Sequence, residues 1–118
     1  MLITEEKEIF NAIARYIVLS ELDDKWQSAS LKLMVIGNTV EFNLTFLYEN
    51  GVTKNTKLEN AFKCSFEVLK LYKLTNEHPN YKKWNKSEFI LYSDSKCKIE
   101  YIWDEALQNE VDKLNKES

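Results

Sequence analysis

From Val40 to Tyr48 the chain alternates: Val40, Phe42, Leu44, Phe46 and Tyr48 fall on one side, Glu41, Asn43, Thr45 and Leu47 on the other. A period of two belongs to an extended strand with one face on an apolar core and the other toward water. That is a strand of an antiparallel sheet, because parallel strands are covered on both faces and read as unbroken apolar runs. Just before it, Leu31, Leu33 and Val35 alternate with Lys32 and Met34 in a run that begins near Trp26. Gly37-Asn38 between the two runs predicts a two-residue hairpin turn, with glycine accepting positive φ. After the Glu49-Asn50-Gly51 turn, Val52 to Lys54 predicts a short third strand. A second hairpin is predicted from Glu88 to Trp103, turning at Ser93-Asp94-Ser95-Lys96. In its last strand Cys97, Ile99, Tyr101 and Trp103 alternate with Lys98, Glu100 and Ile102.

Three segments carry helical spacing. Ile9, Phe10, Ile13, Ala14 and Ile17 predict a helix ending near Ser20, capped by Thr4 and acidic in its first turn at Glu5, Glu6 and Glu8. Thr56-Lys57-Leu58-Glu59 matches a capping box and predicts a second helix to about Leu74. Its inward residues are expected to be Leu58, Ala61, Phe62, Cys64, Phe66, Leu69 and Tyr72. Asp104 is placed to cap a third helix carrying Ala106, Leu107, Val111 and Leu114. The order is α-β-β-(β)-α-β-β-α. Strands that come as hairpins predict an α+β fold: an antiparallel sheet of four to five strands with three helices packed on it. Residues 1–118 read as a single domain, because this length suits one core that buries roughly two thirds of the unfolded surface.

Composition narrows the function classes. The chain has two Gly, one Pro, two Cys and one His, with 44% hydrophobic residues. The apolar content is too high for disorder, and two cysteines make neither a disulfide framework nor a zinc site. Cys64 and Cys97 are expected to be small buried hydrophobes, with both thiols reduced. The first residues lack a basic stretch followed by a long apolar run, and no segment approaches the ~20 apolar residues of a membrane span. A cytoplasmic location is expected, with no membrane partner.

No catalytic constellation stands out. His78, beside Pro79 in a polar loop, has no nucleophile or acid fixed near it by the sequence. Pairing it with Cys64 or Cys97 would depend on the fold. Gly37 and Gly51 alone build neither a phosphate loop nor a dinucleotide fingerprint. Asp23-Asp24 and Asp104-Glu105 could hold a cation or act as acid and base, but such pairs more often form a solvated loop and a helix start. A non-enzymatic protein with no cofactor and no bound metal is expected.

Charge is uneven. The chain carries −3 overall, yet residues 1–24 carry −4, residues 82–98 carry +3 and residues 99–112 carry −5. Ordinary solvated faces account for such segments. So does an acidic patch of Glu100, Asp104 and Glu105, joined by Glu21, Asp23 and Asp24, that steers a basic protein. Direct nucleic-acid binding is not expected, since acids would repel phosphate. The aromatics divide the same way: Trp26, Trp84 and Trp103 serve as core packing, or as anchors inside a charged rim. Ile102 alternates with Trp103 and should face away from the core, between Glu100 and Asp104. The candidate partner-binding residues are therefore Glu100, Ile102, Asp104, Glu105, Asp23, Asp24 and Trp103. Reversing Glu100, Asp104 and Glu105 is expected to weaken partner binding at nearly constant stability.

The stretch from Trp84 to Asp104 resembles the YezG-like immunity proteins of bacterial polymorphic toxin systems. In that family a Trp precedes a strand, an Asp-Gly-Lys turn follows, and the next strand reads apolar, acidic, aromatic before an acidic stretch. Trp84, Asp94, Lys96, Ile99, Glu100, Tyr101 and Asp104 fit those places, with Ser95 where the family has glycine. The resemblance implies an antitoxin that binds the toxic C-terminal domain of a contact-dependent inhibition effector, commonly a nuclease. A basic partner is expected from the acidic patch, and the free chain is expected to be a monomer or weak dimer. The element order is also similar to small acidic chaperones of type III effectors, which hold an effector segment as homodimers. A small hydrolase using His78 is the third reading.

Overall fold

The structure, a computed structural model, describes residues 4–23 and 25–117. The Thr4 side chain, expected as a cap, and Asp24 lie outside the described residues. The elements are α1 (Thr4–Leu19), β1 (Trp26–Ile36), β2 (Thr39–Tyr48), β3 (Thr53–Thr56), α2 (Ala61–Asn76), β4 (Lys86–Tyr92), β5 (Cys97–Ile102) and α3 (Glu105–Glu117). The strands form one antiparallel sheet in the order β3-β2-β1-β4-β5. This is the α+β fold expected from the alternation.

Register decides which side chains meet. Leu31 stands between Leu44 and Phe89, and Leu33 between Phe42 and Ser87. These residues share the core face, which α1 covers with Ile9, Phe10, Ile13 and Ile17, and α2 with Cys64, Val68 and Leu71. Phe10 meets Phe89 edge-on at 5.5 Å between ring centres. The opposite face is left open and carries Ser30, Lys32, Met34, Glu88, Ile90 and Glu100. Gly37 makes the first hairpin with φ +59°. At the start of β1, Trp26 pairs with Tyr48 but Ser28 with Leu47, so one extra residue bulges out. The bulge lets Trp26 and Ala29, three apart, both point into the core.

The structure departs from the expectations at several places. Thr56 does not cap a helix: it ends β3, opposite Leu44, because Thr53–Thr56 continues the sheet as its edge. The second helix begins at Ala61, after Asn60 in the left-handed region at φ 56°. Its inward face follows 64, 68, 71 and 75, a true helical stripe. Phe62 and Phe66 are therefore opposite the core, 77% and 51% exposed, and pack on each other at 4.9 Å. Cys97 is exposed, because it lies at the end of the outer strand, while Cys64 is buried as expected. Trp103 falls just beyond β5. Glu6, read as one of the first-turn acids of the helix, is fully buried and accepts the Tyr101 hydroxyl at 3.3 Å. α3 makes only sparse contacts with the other elements, and Val111 is the one buried residue among its described side chains.

Leu44 is 2% exposed at the centre of this core. Leu44→Ala should lower unfolding free energy by about 2–5 kcal/mol, measured by urea denaturation. A cost below about 1 kcal/mol would mean that the core is looser than its burial indicates.

Candidate functional site

The candidate residues of the last strand and helix meet at one corner, and Asn85 builds it. This side chain is 1% exposed. Its Nδ2 donates to the Asp104 carbonyl at 2.8 Å, and its Oδ1 accepts the Asp104 N–H at 2.8 Å. Its own carbonyl accepts from Val35 N–H at 2.8 Å, and its N–H donates to the Ile102 carbonyl at 3.0 Å. One asparagine thus ties β1, β5 and the head of α3 together. Next to it, Trp84 is fully buried and donates from Nε1 to Thr75 Oγ1 at 2.7 Å.

Asp104 is held at both ends of its side chain. Oδ2 takes Lys86 Nζ at 2.6 Å, and Oδ1 accepts the Leu107 N–H at 3.0 Å, the expected helix cap. The lysine first, then the amide, holds its carboxyl below the usual carboxylate range. Glu105 is exposed, and its Oε2 accepts the Trp103 indole N–H at 2.5 Å. Lys83 Nζ lies 5.8 Å from the centre of the Trp103 ring, within cation–π reach. Trp103 is 38% exposed and Ile102 41%. Ile102 faces away from the core and borders an open groove with Met34, Lys32, Lys86 and Glu88. Glu100 is on the same open face, directly opposite Glu88.

Asp23 and Glu21 are not part of this corner. They precede Trp26, whose pairing partner is Tyr48, whereas Ile102 pairs with Lys86 beside Met34. The length of β1, roughly 30 Å, separates the two acidic regions. Asp23 Oδ1 accepts the Lys25 N–H at 3.0 Å. Glu21 accepts the Tyr48 hydroxyl and, at 2.9 Å, Lys54 Nζ. Those contacts, the phenol first, hold its carboxyl at about 2. In return the Tyr48 phenol is pushed up to about 12.

The residues weighed for chemistry are scattered. His78 is half-buried after α2; its Nδ1 accepts the Asn80 N–H at 3.2 Å, and its ring meets Tyr81 edge-on. Burial pushes the Cys64 thiol up to about 12, so it is no thiolate at neutral pH. Among the described residues no three His, Cys, Asp or Glu side chains gather as a metal site. No helix among them is long and apolar enough to cross a membrane. Sequence reasoning missed two features: Asn85, which carries no pattern of its own, and the outward Phe62–Phe66 pair, on a helix whose apolar residues lie all round and leave its phase open. No family model matches the chain, and no curated protein matches it.

Asp104 is part of the framework, so reversing it is expected to cost stability, unlike reversing Glu100 or Glu105. Asp104→Ala should lower the melting temperature by several degrees through the lost cap. Equal melting temperatures for variant and parent would contradict the structural role.

Glu21 gives a pH signature. Its folded-state pKa is depressed from 4.5 to about 2. The stabilisation is therefore complete above about pH 4.5 and is lost as pH falls toward 2. Calorimetric melting temperatures of Glu21→Gln and the parent should differ at neutral pH and converge near pH 2. A constant difference across that range would rule this out.

Proposed function

We propose that the chain is an immunity protein that binds and neutralises the toxic C-terminal domain of a bacterial polymorphic or contact-dependent inhibition effector, acting in the cytoplasm without enzymatic chemistry of its own. One observation carries the reading. Trp103, already oriented by Glu105 and Lys83, stands exposed next in the chain to the exposed Ile102, and Glu100 shares the open face with Ile102. A pre-positioned aromatic in a charged rim is the make-up of an interface hot spot. Glu100 and Glu105 are exposed and free of basic partners among the described ion pairs, so they can meet a basic surface such as a nuclease cleft. The resemblance to YezG-like immunity proteins adds support. Ser95, at the family's glycine place, adopts φ 73°, the backbone region that glycine favours.

A second reading has its own observation. The outward Phe62–Phe66 pair on α2 leaves two edge-packed aromatic rings exposed, an apolar patch of the kind that supports a homodimeric secretion chaperone. The two readings separate by experiment. Co-expression with the toxin domain encoded next to this chain should restore growth, and Trp103→Ala combined with Glu105→Lys should weaken toxin binding roughly tenfold or more at unchanged melting temperature. Titration calorimetry at two salt concentrations should show weaker binding at the higher one. Growth that the protein does not restore would sink the immunity reading. A complex lost in Phe62→Ser with Phe66→Ser, but kept in the Trp103 variant, would favour the chaperone.

A further inference from the structure

We infer that β5 is a self-complementary edge through which two copies of this chain join their sheets into one of ten strands. The inference does not depend on the partner proposed above.

The Tyr92 N–H donates to the Lys96 carbonyl at 2.8 Å, which makes 92 and 96 a hydrogen-bonded pair. Bonded and non-bonded pairs alternate along an antiparallel ladder. The pairs Ile90–Lys98, Glu88–Glu100 and Lys86–Ile102 are then bonded too. Two side-chain or flanking contacts agree: the Glu100 carbonyl accepts Ser87 Oγ at 2.9 Å, and the Ile102 carbonyl accepts the Asn85 N–H. Lys98, Glu100 and Ile102 thus direct their backbone groups at β4. Cys97, Ile99 and Tyr101 direct theirs at the open edge, where no described residue bonds them. The strand has no proline and no bulge to blunt it.

The side chains specify what can add to this edge. Glu100 stands opposite Glu88 in its own sheet, an unfavourable like-charge pair, and Lys98 stands opposite Ile90. Neither has an ion-pair partner among the described residues of its own chain. A second β5 laid antiparallel, with Ile99 opposite its own copy, supplies both. In that register the outward backbone groups of Ile99 face each other, and those of Cys97 face Tyr101. Each Lys98 then lies directly across from the Glu100 of the other copy, so both charges are matched twice around the two-fold axis. Side chains also stay in phase: Cys97, Ile99 and Tyr101 extend the core face, and the charged residues extend the open face. A short edge of six residues makes this a weak, concentration-dependent dimer.

The test is the mass of the full chain by sedimentation equilibrium up to about 1 mM, with circular dichroism to verify folding. The parent should shift from monomer to dimer. Lys98→Glu alone and Glu100→Lys alone should each weaken the dimer roughly tenfold, because like charges then face each other. The combined swap should restore it. In a Cys97→Ser background, Ile99→Cys should cross-link two copies on mild oxidation, since a bonded pair brings Cα atoms to about 5.5 Å. A parent that remains monomeric at the highest concentration overturns the proposal. So does a dimer indifferent to both charge reversals, or one dissolved by Phe62→Ser with Phe66→Ser, which would place association on α2.

Discussion

Much of the structure depends on the four hydrogen bonds of Asn85. A buried amide without partners would be costly, but this one is satisfied through both its backbone and its side chain. It joins the central strand, the outer strand and the last helix at one point. Trp84, one residue earlier, ties the same segment to α2 through Thr75. The polar loop after α2 is thereby fixed at its end, and the direction in which β4 and β5 enter the sheet is set. Trp103 and Glu105 inherit their positions from this corner. Their contacts with each other and with Lys83 are local, but their place beyond the end of the sheet is not.

The fold was legible where the sequence alternates. Val40 to Tyr48 could lie in only one phase, because the other would bury Glu41 and Asn43. The Gly37-Asn38 turn then fixed the register of the first hairpin. The helices were less legible. Ala61, Phe62, Cys64, Phe66, Leu69 and Tyr72 supply apolar residues all round α2, so the pattern left its phase open. The phase is chosen by Val68, Leu71 and Thr75, which fit against the sheet, and the two phenylalanines are turned to solvent. Thr56 shows a local preference losing to a distant one. Its capping-box spacing is sound, but pairing with Leu44 extends the sheet.

The candidate site divides in the same manner. The outward direction of Glu100 and Ile102 followed from strand alternation, and the cap made by Asp104 followed from its place before a helix. That Asp104 also binds Lys86 needed the β4–β5 register. The separation of Asp23 from Asp104 needed the whole sheet, since residues eighty apart in the chain have no distance until the strands are ordered. Segment charge counts acids without locating them. Here it united two groups that the central strand holds apart.

The two thiols have a practical consequence. Cys64 is sealed in the core and Cys97 lies exposed at the end of the outer strand. The unmodified chain therefore carries one addressable thiol, and a maleimide dye will report from the rim of the sheet without any engineered cysteine. Partial burial raises the Cys97 pKa, so labelling will proceed faster under mildly alkaline conditions. A fluorophore there would sense the arrival of another chain along that edge, while the sealed thiol would react only on unfolding and so time the opening of the core.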